Sequence, residues 1–379
     1  MARVKILITV NAAWNIWNFR RPLVEALLSD GHEVTILAPK DDTVPKLQAR
    51  GCSIRHLEMN AKGLNPLQDA KLLLRLRQHF RDIKPDVILS FTIKNNIFGA
   101  IAAKFAWIPF IPNVTGLGTA FLSGGVLERV AVMLYKTAFR KLPVVFFQNE
   151  DDRTLFLERG LVTENQARRL PGSGIDLDRF AAAAFPSEDG APIFLMIARL
   201  LRDKGVLEYV EAARHVKAHH AQARFQLLGA TDAENRTAID RQTVQAWEQE
   251  GVIEYLGTVE DVRPMIEAAH CVVLPSYREG APRTLIEAAA MARPLIATDV
   301  PGCRAVVEDK TTGFLCQVRS GESLAAACEA FIALTSEERA ALGRAGRAKM
   351  EREYGQNIVL EAYRAALRDL APKTTCVAA

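Results

Sequence analysis

The chain has 379 residues, of which 48 are Lys or Arg and 44 are Asp or Glu, for a formal charge of +4 at pH 7. Apolar residues make up 49% and charged residues 24%, which excludes disordered, collagen-like and coiled-coil classes. A chain of this length is expected to fold as two or three domains, each with its own core.

The first elements in chain order are short apolar runs alternating with helical patterns. Residues 4–10 (VKILITV) read as a buried parallel strand. Residues 21–30 have helical spacing, with Leu23, Ala26 and Leu27 on one face and Gly31 as the stop. Strands follow over residues 33–38, 53–57, 87–91, 110–114 and 144–148, with helices between them. Residues 180–192 are rich in Ala, Pro and Gly and read as a linker. The pattern then restarts, with strands over 193–198, 224–228, 253–256, 271–275 and 294–297, again separated by helices. Helical stretches over 336–354 and 356–370 precede a polar tail, 373–379. Such βα alternation predicts two doubly wound α/β domains joined by a linker, with a cleft between them. Ligands then belong in the loops after the carboxyl ends of the strands.

The charge is unevenly spread along this plan. Residues 1–180 carry 25 basic and 17 acidic side chains, whereas residues 181–379 carry 23 and 27. A basic first half suits nucleic acid, an anionic membrane or a phosphorylated substrate. The longest apolar stretches, such as 105–112, fall short of the roughly 20 residues that span a bilayer. Residues 1–10 show no signal-peptide pattern, so a cytoplasmic location is expected. The six cysteines have no CxxC spacing and no Cys/His cluster, and none of the seven histidines falls in a candidate site loop. No DXD-type metal motif falls in such a loop either, so no metal site is expected.

Two loops of the second half carry chemistry. Residues 277–288 (YREGAPRTLIEA) follow a strand and open a helix, placing Glu279 before the helix and Glu287 inside it. Amides at a helix start bind anions, and flanking carboxylates bind hydroxyls, a pairing that fits a sugar nucleotide. The same run also fits a capped helix with Glu279 favouring the dipole. Residues 198–205 (ARLLRDKG) bring Arg199 and Lys204 to the end of the preceding strand. Such cations stabilise a departing diphosphate without a metal; a solvated basic turn is the alternative.

Taken together, residues 197–205, the 256–262 loop (LGTVEDV), the 275–288 run and residues 299–313 resemble the retaining glycosyltransferases of family 4. The resemblance covers essentially the whole chain and implies the α/β GT-B architecture, two Rossmann-like doubly wound domains facing across a cleft. It places an acceptor-binding domain at 1–180, a nucleotide-sugar domain at 181–355 and a helix at 356–372 that crosses back to the first domain. The catalytic residues implied are Glu279, Arg199 and Lys204. Glu287 would hold the ribose, and Gly280, Ala281, Pro282, Arg283, Thr284 and Leu285 the sugar and phosphate. Gly257 and Val259 would lie against the base.

Within the first half, residues 91–99 (FTIKNNIFG) and 113–121 (NVTGLGTAF) are similar to a narrower subgroup. That subgroup extends lipid-diphosphate-linked oligosaccharides. It includes undecaprenyl-diphosphate-bacillosamine N-acetylgalactosaminyltransferases and O-antigen and capsule transferases. Asn15, Lys94, Asn95, Thr115, Gly116 and Leu117 would then meet the acceptor. Two features depart from the family. Thr115 stands where many members carry His, and the first loop, which often has a Gly-Gly pair near the donor phosphates, here reads NAAWN over residues 11–15. Nearby Trp14 and Trp17 would stack on a sugar, meet a membrane or join the core.

Residues 66–84 and 126–142 are basic and amphipathic. In 126–142, Leu127, Val130, Ala131, Leu134 and Ala138 share one face, with Arg129, Lys136, Arg140 and Lys141 mostly opposite. These are either sheet-packing helices with solvated faces or docking helices on the inner face of the cytoplasmic membrane. The function implied is transfer of a hexose or N-acetylhexosamine from a UDP-sugar co-substrate to a polyprenyl-diphosphate-linked sugar, without a cofactor and with no nucleic-acid partner. A non-hydrolysing UDP-sugar 2-epimerase on the same architecture is the alternative.

Overall fold

A computed structural model of the chain describes residues 3–60, 65–117, 125–187, 191–231, 235 and 237–370. They form two compact units. Unit 1 runs to Ser173 and resumes at Asn357, and unit 2 is Gly174–Gln356. The units therefore divide ahead of the Ala- and Pro-rich stretch that the composition singles out.

Unit 1 contains β1 (Lys5–Thr9), α1 (Ala13–Phe19), α2 (Arg21–Ser29), β2 (Glu33–Ala38), α3 (Val44–Gln48), β3 (Ser53–His56) and α4 (Pro66–Ile83). It continues through β4 (Val87–Phe91), α5 (Ile93–Ala106), β5 (Phe110–Val114), α6 (Gly125–Phe139), β6 (Val145–Phe147), α7 (Glu150–Glu158) and β7 (Ala167–Arg169). All paired strands are parallel, in the order β3-β2-β1-β4-β5-β6-β7. Tight turns cannot join parallel neighbours, so helices carry most returns and cover both faces. One face packs Ile6, Ile8 and Leu89 against α2; the other packs Leu7, Ile88 and Val145 against α4, α5 and α6.

Unit 2 contains β8 (Ile193–Ile197), α8 (Val206–His219), β9 (Arg224–Leu228), α9 (Arg241–Gln249), β10 (Glu254–Tyr255), α10 (Arg263–Ala268) and β11 (Cys271–Leu274). After these come α11 (Arg283–Ala290), β12 (Leu295–Thr298), α12 (Pro301–Val306), β13 (Gly313–Cys316), α13 (Gly321–Ala333) and α14 (Ser336–Lys349). The sheet is parallel, ordered β10-β9-β8-β11-β12-β13. The last helix, α15 (Gln356–Leu370), packs into unit 1 through Val359, Tyr363 and Ala366. There Arg364 grips Asp30 with two bonds of 2.7 and 2.8 Å.

Both sheets reverse strand order once, at β1/β4 and at β8/β11. Loops diverging at such a switch point leave a crevice at the carboxyl edge of the strands. In unit 2 those loops are the two rich in Arg, Lys and Glu.

One local expectation is corrected. Residues 13–15 are not loop but the start of α1, which begins after Ala12 without any side-chain cap and so carries little signal in sequence. On α6 the apolar stripe is divided between core and surface. Tyr135, Ala138 and Phe139 are its buried residues, with Tyr135 and Phe139 edge-on to one another and both packed near Phe156, whereas Leu127 and Val130 are exposed. The large rings set the helix rotation, because they remove more apolar surface from water than Leu127 and Val130 would. Residues 118–121, 371–372 and 373–379, expected as acceptor loop, helix end and tail, lie outside the described residues.

Candidate active site

The loop after β8 and the loop after β11 are fastened together. Lys204 Nζ lies 2.5 Å from Glu279 Oε1, and both side chains are mostly buried, 23% and 13% exposed. The sequence separates them by 75 residues; the switch point joins them. Backbone geometry makes the approach possible. Gly205 adopts φ +76, and a Cβ there would sit 2.0 Å from the Pro275 carbonyl oxygen. Gly302, at the start of α12, passes so close that a Cβ would meet the Glu279 carbonyl oxygen at 2.5 Å. Only glycine fits at either position.

Further bonds brace the Glu279 loop. The Tyr277 amide donates to Asp203 O at 2.9 Å, and the Ser276 hydroxyl reaches the same carbonyl at 3.3 Å. The Tyr277 hydroxyl donates to Glu208 Oε1 at 2.7 Å, and Arg319 lies over its ring at 4.8 Å. Burial, with the Glu208 carboxylate adding to it, pushes the Tyr277 phenol up to about 12. Tyr277 and Asp203 lie in the two loops marked by the sequence, but Glu208 and Arg319 fall outside them and carry no signal there. Arg199, at the mouth of the β8 loop, is exposed, and its guanidinium has no partner among the described residues.

Glu287 is 9% exposed and accepts a 2.5 Å bond from Arg283 Nε one turn earlier. Burial holds its carboxyl above the ordinary range, against the pull of Arg283. The Thr284 hydroxyl donates to Ile197 O at 3.1 Å, tying α11 to the end of β8. Thr284 therefore spends its only side-chain proton inside the protein. Pro282, the N-cap of α11, has no N–H, and the Leu285 amide is taken by Pro282 O at 3.1 Å. The expected row of anion-binding amides is thus interrupted at Pro282 and Leu285. Gly257, at φ +68, accepts from the Gly229 amide at 2.8 Å, which seats the turn after β10 against the end of β9; Val259 is exposed beyond it.

The expected acceptor residues of unit 1 divide into two groups. Asn15 lies in α1 and is half-buried; Thr115 and Gly116 are half-buried in the loop after β5. Lys94 is half-buried and paired with Asp69 at 2.8 Å. Asn95 and Leu117 do not face outward. Asn95 is 0% exposed, its amide donating to Thr9 Oγ1 at 2.8 Å and accepting from Thr92 at 3.0 Å. Leu117 belongs to the core under α5 and α6. Thr92 holds φ +75 with ψ 149, a conformation non-glycine residues rarely adopt, at the switch point of this sheet. Trp17 is half-buried on the core with Arg21, Lys46 and Arg50 within 5.2–6.0 Å of its ring, and Trp14 is exposed.

Among the described residues no helix is long and apolar enough to cross a membrane. The helices of unit 1 nevertheless expose Leu67, Leu74, Val126, Leu127, Val130 and Met133 on α4 and α6, interspersed with Lys71, Arg129, Lys136 and Arg140.

The chain is similar to known glycosyltransferases along most of its length. Residues 16–172 match the family described as "Glycosyl transferase 4-like domain", and residues 191–333 match "Glycosyl transferases group 1". The chain is 30% identical over 370 residues to the N,N'-diacetylbacillosaminyl-diphospho-undecaprenol alpha-1,3-N-acetylgalactosaminyltransferase of Campylobacter jejuni, covering 93% of this chain and 95% of that one. It is 24% identical over 278 residues to an Escherichia coli UDP-Gal:alpha-D-GlcNAc-diphosphoundecaprenol alpha-1,3-galactosyltransferase, covering 69% and 70%. In fold it resembles a Rickettsia africae glycosyltransferase, with TM-score 0.77, 19% identity and coverage of 99% and 100%. Anabaena HepE, solved with UDP and glucose, gives TM-score 0.76, 18% identity and coverage of 97% and 100%. The chain belongs to the family 4 glycosyltransferases, on the GT-B fold.

Proposed function

We propose that this enzyme is a retaining transferase that moves a hexose or N-acetylhexosamine from a UDP-sugar to a sugar carried on a polyprenyl diphosphate, in assembly of a bacterial surface glycan. Similarity along nearly the whole length to the Campylobacter enzyme supports the acceptor class. One observation carries the donor site: the Lys204–Glu279 pair at the switch point of unit 2.

Loss of UDP concentrates negative charge on the leaving phosphate. Lys204 and Arg199 offset it from fixed positions, in place of a metal. The incoming diphosphate competes with Glu279 for the Lys204 ammonium, which turns the Glu279 carboxylate toward the sugar hydroxyls and the developing charge at the anomeric carbon. Glu287 holds the ribose, oriented by Arg283. Gly280 and Ala281 meet the sugar, and the turn at Gly257 and Val259 the base. Thr284 and Leu285 act indirectly, by fixing α11. On unit 1, Asn15, Lys94, Thr115 and Gly116 receive the acceptor, while Asn95 and Leu117 support that loop from beneath. The anomeric carbon–phosphate oxygen bond breaks, the acceptor oxygen bonds on the same face, and the departing phosphate oxygen takes the acceptor proton. Thr115 therefore needs no basic function.

The exposed apolar and basic side chains of α4 and α6 rest on the anionic inner surface of the cytoplasmic membrane, where the lipid-linked acceptor resides. The test is a transfer assay with a panel of UDP- and GDP-sugars and a polyprenyl-diphosphate-linked sugar. A UDP-sugar should give an α-linked, lipid-borne product. Epimerisation of a UDP-sugar without acceptor, or equal turnover by Lys204→Ala, would overturn the reading.

A further inference from the structure

Near the carboxyl end of α8, His215 and His219 stand one helical turn apart and face Glu329 of α13. His219 Nδ1 is 3.3 Å from Glu329 Oε1, and His215 Nε2 is 3.9 Å from the same oxygen. One ligand atom from each of the three residues lies within 4.8 Å of the others. The two imidazole rings are edge-on, 5.3 Å apart. Nothing in the proposed transfer uses these groups. They sit about 14–20 Å along α8 from its start beside Lys204, at 1.5 Å per residue, and so belong to the opposite end of the helix from the donor loops.

We propose that His215, His219 and Glu329 form a site for a divalent transition-metal ion, with Zn²⁺ or a neighbour in the series as occupant and water completing the shell. Two imidazoles and one carboxylate suit borderline ions, which they bind at about 2.0–2.2 Å. Around such an ion the ligand atoms stand roughly 3.3 Å apart in tetrahedral geometry. The present separations, up to 4.8 Å, therefore need to close by at most about 1.5 Å, which side chains 34–62% exposed can make by rotation. The helical register presets two ligands, and the packing of α13 on α8 brings the third. The nearby cations are engaged elsewhere: Arg214 holds Glu250 through two bonds of 2.6 and 2.7 Å, and Lys217 donates to Gly251 O at 2.7 Å. A bound ion would clip α8 to α13 across the surface of unit 2.

The test is calorimetric titration of the untagged, chelator-treated full chain with ZnCl₂ at mildly alkaline pH, beside His219→Ala, Glu329→Gln and His220→Ala. We expect one ion per wild-type chain, binding weakened about tenfold or more in His219→Ala and Glu329→Gln, and no change in His220→Ala. MgCl₂, which prefers all-oxygen shells, should give no heat of binding. Zinc binding that survives His219→Ala unchanged, or the absence of any binding by wild type up to about 1 mM, would overturn the proposal.

Discussion

The two units share one architecture and use its switch point differently. In unit 2 the loops after β8 and β11 bring opposite charges into a partly buried pair, Lys204–Glu279, and a second pair follows at Arg283–Glu287. In unit 1 the buried polar groups near the switch point are neutral: Thr9 ends β1, Asn95 of α5 lies over it, Asn113 is in β5, and a strained Thr92 caps α5. Unit 1 keeps one partly buried ion pair beside this point, Lys94–Asp69 at 2.8 Å, and spreads most of its remaining charge over the outer helices, mixed with exposed apolar side chains. Under the proposed function, the same fold would serve phosphate chemistry where charges are gathered at the strand ends, and surface attachment where they are spread over helices.

If that division is right, Lys204→Ala should cause the largest loss, about 10²–10³-fold in transfer rate, with the melting transition retained. Next, replacing Arg129, Lys136 and Arg140 together by Ala should weaken binding to anionic vesicles about 10²-fold, at about 1 kcal/mol for each cation. Co-sedimentation reads this directly, and turnover on a short, soluble acceptor should stay unchanged. A smaller effect is expected from Tyr277→Phe. It leaves the buried Glu208 carboxylate without its hydroxyl donor and should destabilise unit 2 by roughly 1–3 kcal/mol in urea unfolding.

The smallest effect is one of slope. Burial holds the folded-state Glu287 carboxyl above its reference value of 4.5. The folded chain then binds this proton more tightly than the unfolded chain does. The contribution is most favourable below 4.5 and is lost as pH rises through the window above it. Glu287→Gln removes that slope, so the variant should gain on wild type as pH rises from 4.5 towards neutrality. Parallel stability curves would show that Arg283 fully offsets the burial.

Much of the fold was legible in residue order because parallel strands buried on both faces read as unbroken apolar runs, as in VILSF of β4 and CVVL of β11. Helix α1 was not, since Ala12 offers no side-chain cap to mark its start. Which part of α6 faces the core was not legible from the apolar stripe alone, because Tyr135 and Phe139 outweigh Leu127 and Val130. Within the site, Arg283 and Glu287 are an i, i+4 pair visible in sequence. The Tyr277–Glu208 bond spans 69 residues and depends on which strands become neighbours. Lys204 and Glu279 were each recognisable as site residues, but their contact was not. Asn95 looked like a loop amide available to a ligand; its burial follows from the packing of α5 over Thr9.

The most direct measurement is calorimetric titration of UDP-N-acetylgalactosamine, and of the other UDP-sugars if it is silent, into wild type, Lys204→Ala, Arg199→Ala and Lys94→Ala. Donor charge confined to unit 2 predicts weakening of about tenfold or more in the first two variants and wild-type affinity in Lys94→Ala. Wild-type donor affinity in Lys204→Ala and Arg199→Ala, with weakened binding in Lys94→Ala, would contradict it.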